Sequence, residues 1–374
     1  MDLRRTASAL VGEHLSTRQN RSTAPSSSAR LIDLNDLPIS LIDIELSTPP
    51  TELVGDTTVT RSDPFPQNED AVLALARAVR DTGYSFTTVT PATHAHVNAR
   101  PRNAEANSLR DVFGWSRPFR ADVLPEPILR LMREAGAVAE DGPLLRPTIR
   151  FSSLDGELFA HSSYPPSAAD AVFFGPDTMR FVSAVIAHLD GRTQPVRRAV
   201  DIGCGSGAAG ICVAKRAPGA EVVLVDINPA ALRAARVNAR LAGTEGVDVR
   251  RSDILRDVEG PFDLIVSNPP FMIDTAERAY RHGGGPLGAG LSLAVAEQVV
   301  ERLAPGGSLV LFTGAAIVEG EDPFHDAVAE LCSRADLDRT YREFDPDQYG
   351  EELANAVYDE VERLALVTLT VTRP

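Results

Sequence analysis

The sequence predicts an α/β chain: a doubly wound, Rossmann-like sheet of seven strands in the C-terminal part, preceded by a mainly helical, winged-helix-like N-terminal domain. Three observations lead there. From about Arg197, short β-branched apolar runs alternate with stretches of helical period, as repeated βα units of a parallel sheet do. A glycine cluster follows the first of those runs, where such sheets receive ligands. Ahead of them, helical patterns lead into an alternating segment around Leu154-Asp155-Gly156, a hairpin signal.

The elements follow in order. Residues 1–30, with "STAPSSSAR" at 22–30, have the composition of a mobile tail. Residues 31–165 are expected to form the N-terminal domain. There "NEDAVLALARAVRDT" from Asn68 is helical with Asn68 or Asp70 as cap, and "PEPILRLMREAGAV" at 125–138 is a second helix, Pro127 near its start and Gly136 near its end. Residues 166–374 carry the sheet. Strands are expected at 198–202, 221–226, 247–250, 262–267, 308–313 and 363–372, with a further edge strand near 338–344 that makes the last pairing antiparallel. Helices are expected at 208–216, 229–242, 290–304 and 323–335.

Composition narrows the function. With 374 residues, 43% apolar and 24% charged, the chain is an ordinary globular protein of two or three domains. It has no long uncharged apolar run, so no membrane partner is expected. Three scattered cysteines (Cys204, Cys212, Cys332) form neither a disulfide framework nor a zinc site, and suit a reducing cytoplasm. The net charge of −15 disfavours nucleic acid as partner, because phosphate neutralisation supplies most of that affinity. Arg100, Arg102, Arg110, Arg117 and Arg120, with Trp115 for stacking, make the best candidate patch against that trend. An oligomer is compatible with the sequence.

"AVDIGCGSGAAG" at 199–210 admits two readings. Gly205-Ser-Gly207-Ala-Ala-Gly210 is a G-x-G-x-x-G, and Asp226 ends the next strand, as a dinucleotide site requires. One step earlier, Asp201-Ile-Gly203-Cys-Gly205-Ser-Gly207 resembles the D-x-G-x-G-x-G turn of class I methyltransferases. A dinucleotide pyrophosphate seeks free helical N–H groups. S-adenosylmethionine carries no phosphate and calls for an acid near its positive charges, which suits Asp201. Asp226 can accept both ribose hydroxyls under either reading, or cap the helix that begins at Pro229.

"SNPPF" at 267–271 decides between them. Two prolines end the preceding strand and hold Asn268 and Phe271 at its C-terminal edge. In order and spacing, "DIGCGSG", "VDINPAAL", "SDIL" and "SNPPF" resemble class I S-adenosylmethionine-dependent methyltransferases. The match is to the subgroup with an Asn-Pro-Pro-aromatic motif: HemK/PrmC-like glutamine methyltransferases, small-domain rRNA guanine methyltransferases and adenine-N6 enzymes. "FFGPDTMRFV" at 173–182 is similar to the segment that precedes the glycine turn in the glutamine enzymes.

The resemblance covers about 170–374 and implies S-adenosylmethionine as cofactor. Its contacts would be Asp201, Gly203, Gly205, Gly207, Asp226, Ile227 on the adenine, Asp253 near the adenine amino group, and Asn268. Asn268 and the Pro269 carbonyl would accept the two N–H groups of a planar nitrogen, and Phe271 would stack on the group that carries it. Pro270, Tyr280 and His282 are further substrate contacts, and glycine-rich "HGGGPLGAG" at 282–290 reads as a mobile, substrate-admitting loop. The acceptor expected from the acidic charge is a small molecule or an amide; a nucleic-acid base or a protein glutamine are the alternatives.

Overall fold

A seven-stranded sheet organises the chain. The computed structural model describes residues 65–374 except 167, 275–277 and 279. The tail and most of the apolar clusters expected at 31–66 lie outside the described residues. The described residues belong to one compact unit.

Its first part is helical. α1 (Glu69–Asp81) is capped by Asn68, whose Oδ1 accepts the Ala71 N–H at 3.1 Å. Three more helices follow: α2 (Pro91–Asn98), α3 (Leu109–Phe113) and α4 (Glu126–Glu134). Two hairpins complete it, β1 (Val138–Asp141) with β2 (Leu144–Pro147), and β3 (Ile149–Leu154) with β4 (Glu157–Ser162). The expected turn at Asp155-Gly156 joins the second pair, both residues at positive φ (53° and 79°), as a tight hairpin turn requires. Short α2 and α3 and the first hairpin are additional to the expected elements; their short, weakly periodic sequences carry little apolar signal.

The second part begins with α5 (Pro176–Gly191), another unexpected helix, started by Pro176 and burying Phe181, Val182 and Val185. Then come β5 (Arg198–Ile202), α6 (Ala208–Arg216), β6 (Glu221–Asp226), α7 (Pro229–Leu241), β7 (Asp248–Arg251) and β8 (Phe262–Ser267). α8 (Gly290–Val299), β9 (Leu303–Ile317), α9 (Pro323–Arg334), β10 (Asp338–Asp345) and β11 (Arg363–Thr372) finish the sheet. β5 to β9 pair in parallel and β11 is antiparallel to both β9 and β10. α8 stops earlier than the expected 304, because Leu303 already pairs with Phe262 across the sheet. Among the described residues no helix is long and apolar enough to cross a membrane.

α7 joins the two parts. Ala230, Ala231, Ala234, Val237 and Leu241 lie in the same apolar core as α1 and α4, while Ala235 and Ala239 pack on the sheet side. From β5 the chain winds one way through β6 and β7, and β8 and β9 lie on its other side. The point where strand order reverses is therefore between β5 and β8, where an open α/β sheet leaves a crevice at its carboxyl edge.

Candidate active site

That crevice is a cleft of about 230 Å³. Ile202 pairs beside Val225 and Ser267, so the segments after β5, β6 and β8 emerge together. Each carries one of the motifs picked out in the sequence.

The turn after β5 needs its glycines. Gly203, Gly205 and Gly207 all have positive φ (65°, 52° and 80°), a region that costs an ordinary residue about 1–2 kcal/mol. A side chain at Gly203 or Gly205 would meet no atom within 4 Å, so both leave the cleft floor open. At Gly207, by contrast, a Cβ would lie 2.9 Å from Leu224 Cδ2, and at Gly210 2.6 Å from Leu224 Cδ1. These two serve close packing of α6 on the sheet, and Gly207 does not line the cleft. Asp201, 2% exposed, accepts the Gly210 N–H at 2.8 Å. Burial, with nearby Asp226 adding, pushes its carboxyl up to about 7 against the opposing Gly210 hydrogen bond.

Asp226 ends β6 and braces two segments. Its Oδ2 accepts the Gly205 N–H and its Oδ1 the Asn228 N–H, both at 2.9 Å. Burial raises its carboxyl as well. Capping of α7 falls instead to Asn228, whose Oδ1 accepts the Ala230 N–H at 2.9 Å. Ile227 stands at the cleft 52% exposed, an apolar face of the kind a purine ring covers. Asp253 lines the cleft too, in an exposed ion pair with Arg256 at 3.3 Å.

The turn after β8 forms the opposite wall. Ser267 Oγ donates to the Ile202 carbonyl at 2.9 Å, tying β8 to β5. Asn268, Pro269, Pro270 and Phe271 all line the cleft. Asn268 Oδ1 is buried and has no hydrogen-bond partner, a condition that costs about 1–3 kcal/mol unless something satisfies it. Phe271, 8% exposed, lies against Gly314 of β9, where a Cβ would come within 2.5 Å of its ring, and 5.7 Å from the Tyr349 ring.

Tyr280 and Arg281 also line the cleft, Tyr280 stacked on Phe173 at 5.9 Å. Arg281 is ion-paired to Glu352 and lies 3.7 Å from Asp274. His282 does not reach the cleft; its Nδ1 accepts the Asp274 N–H at 3.2 Å. The glycine-rich loop is hydrogen-bonded to the chain behind the Asn268 turn. Gly283 N–H donates to the Met272 carbonyl at 2.8 Å, and Leu291 N–H to the Gly283 carbonyl at 2.8 Å. A Cβ at Gly283 or Gly288 would strike the backbone of Pro270–Met272 or of the loop itself. Its glycines permit close packing behind the Asn268 turn.

Several lining residues carry no role in the sequence reading. Asp177 and Thr178, in the first turn of α5, face the same cleft as Asn268. Burial raises the Asp177 carboxyl, and the Asn268 side chain is among the groups that partly offset this. Their signal is the Pro-Asp-Thr segment, which resemblance marks without assigning a role. Tyr349 comes from the acidic insertion before β11, where nothing in the local pattern singles it out.

Two of the five arginines of the candidate patch are paired with acids. Arg117 is 6% exposed, ion-paired to Asp111, with its Nε donating to Asn98 Oδ1 at 2.8 Å. Arg120 pairs with Glu105 at 3.1 Å.

Residues 174–316 match the family model described as the methyltransferase small domain. Over that stretch the chain is similar to class I, S-adenosylmethionine-dependent methyltransferases of the small-domain group. Over 86 residues it is 44% identical to the ribosomal RNA small subunit methyltransferase C of Haemophilus influenzae (strain PittGG), covering 22% of this chain and 26% of that protein. It is 34% identical over 156 residues to the release factor glutamine methyltransferase of Deinococcus radiodurans, 39% of this chain and 55% of the other. It is 32% identical over 154 residues to the 4-amino-L-phenylalanine/4-methylamino-L-phenylalanine methyltransferase of Streptomyces pristinaespiralis, 37% and 52% of the two chains. The chain thus spans between about a quarter and just over half of the length of each of these relatives.

Proposed function

We propose that the chain is an S-adenosylmethionine-dependent N-methyltransferase that transfers a methyl group to a planar nitrogen of a small molecule. The observation that carries this reading is the buried, partnerless Asn268 Oδ1 in the wall of the cleft that also holds Asp226 and the glycine turn. Asp226 and the open faces of Gly203 and Gly205 suit the ribose and amino-acid end of the cofactor, and exposed Ile227 suits its adenine. When bound, the cofactor supplies an electrophilic methyl on a sulfonium.

The residues of the turn do the rest. Pro269 and Pro270 have no N–H, so the turn offers the acceptor little but oxygen. Asn268 Oδ1 and the Pro269 carbonyl each take one N–H of the incoming nitrogen. Its lone pair is thereby aimed at the methyl, and the charge that develops on nitrogen is stabilised as the bond forms. The nitrogen gains the methyl, the cofactor's C–S bond keeps its electrons on sulfur, and one nitrogen proton leaves to solvent. Phe173, Phe271, Tyr280 and Tyr349 exclude water and present aromatic faces to a flat substrate.

The same pair of acceptors suits a nucleobase amine or a glutamine amide, the kinds of target that the relatives' names describe. Two features favour a small molecule: the net charge of −15, and the pairing of Arg117, Arg120 and Arg281 with acids. Incubation with methyl-labelled S-adenosylmethionine and a panel of aryl amines, free amides, a glutamine peptide and ribosomal RNA tests this. Label on an amine or free amide is expected. Label on RNA or peptide alone overturns the small-molecule assignment, and no label on any nitrogen overturns the reaction.

A further inference from the structure

Asn238, midway along α7 and fully buried, makes three side-chain hydrogen bonds, all outside its own helix. Its Oδ1 accepts the Ala160 N–H at 2.8 Å. Its Nδ2 donates to the Ala160 carbonyl and to the Ser206 carbonyl, each at 2.9 Å. One acceptor and both donors are in use, and a primary amide has no further N–H to offer. Towards β4 the amide behaves like a neighbouring strand. Towards the glycine turn it is a clamp on Ser206.

Both ends of this bridge reach the cleft. Ser206 lines it, and the preceding Gly205 is held from the other side by Asp226. Ala160 lies in β4, and two residues on Ser162 Oγ accepts the Val172 N–H at 2.9 Å. That bond places the start of the Ala171–Phe173 stretch, which forms part of the facing wall. A turn with three positive-φ glycines has more backbone freedom than one built of ordinary residues, so external ties help it hold one shape.

We infer that Asn238 is a positioning residue for the cofactor site. It fixes the Ser206 carbonyl, and with it the glycine turn, against the β3–β4 hairpin, so the placement of the N-terminal hairpin helps set cofactor affinity. The inference rests on the cleft being the S-adenosylmethionine site. Removing the amide leaves the buried Ser206 carbonyl without its donor and the turn free to shift. A role in stability alone would lower the melting temperature and leave the affinity of the folded protein unchanged.

Calorimetric titration of S-adenosylmethionine into the full chain separates the two. Asn238→Ala removes all three bonds. Asn238→Asp keeps the shape and the acceptor for Ala160 N–H, but turns an acceptor towards two carbonyls. Val237→Ala removes buried volume from the adjoining core without touching Ser206. Measured below each melting transition, the Asn238 variants are expected to lose about tenfold or more in affinity, and Val237→Ala to stay within twofold. Unchanged affinity in a folded Asn238 variant, or an equal loss in Val237→Ala, overturns the inference. Asn238→Ser, the mildest change, joins the set. If all three Asn238 variants fail to fold, the residue serves stability and the inference also falls. A wild-type chain that does not bind S-adenosylmethionine defeats the reading of the cleft itself.

Discussion

The Gly205 N–H donates to Asp226 Oδ2 at 2.9 Å, so the acid that ends one strand holds the glycine turn that follows its neighbour. The proposed cofactor cradle is therefore one hydrogen-bonded unit built from two motifs that lie over twenty residues apart in sequence. Asp226→Ala removes the partner of two backbone N–H groups as well as the proposed ribose acceptor. Calorimetric affinity for S-adenosylmethionine should fall by roughly ten- to a hundredfold, the scale of one or two charge-assisted hydrogen bonds. A change of less than threefold would remove Asp226 from the site.

Asn268→Ala should separate binding from chemistry. The residue's oxygen has no partner within the protein, and its side chain also hydrogen-bonds Asp177, so the variant's melting temperature is measured alongside. Once an acceptor is identified, turnover should drop by about a hundredfold or more, with cofactor affinity within a few-fold of wild type. Comparable losses in both would mean that Asn268 serves the cofactor.

Asp201 predicts a pH dependence. Its carboxyl is pushed up to about 7 by burial, whereas an unfolded aspartate titrates near ~4. The folded chain holds that proton more tightly, so this group's contribution to stability is full below about pH 4 and is lost as pH rises through about 7. Asn in its place can still accept the Gly210 N–H and never ionises. Without cofactor, Asp201→Asn should melt several degrees above wild type at pH 8, and the gap should close towards pH 4. A gap that does not change with pH would contradict the burial argument.

Gly314→Ala tests the packing of Phe271. The added Cβ would sit 2.5 Å from the ring, and overpacking of that kind costs about 1–3 kcal/mol. A modest drop in melting temperature with a larger drop in turnover is expected, since Phe271 lines the same cleft as Asn268. Full activity would separate Phe271 from the chemistry.

How far the sequence reaches differs from element to element. β5, β6 and β8 are buried on both faces and read as continuous apolar runs, and α7 has a capping Asn228, Pro229 and a sustained period. α5 was missed because its apolar face is narrow and only the Pro-Asp-Thr start stands out. Glycine content at 282–290 signals mobility and close packing alike; the close approach of the Pro270–Met272 backbone is a tertiary fact that the sequence does not carry.

By itself, the sequence determined the sheet, the glycine turn, Asp226 and the Asn268-Pro-Pro-Phe turn, because strand periodicity and the backbone demands of glycine and proline are local. Only the tertiary structure decided the rest: that Asp177 and Tyr349 join Asn268, that His282 stays outside the cleft, and that Asn238 ties the glycine turn to the β3–β4 hairpin. Those relations depend on which strand ends converge and which buried polar atom finds a partner, and both are set by long-range packing.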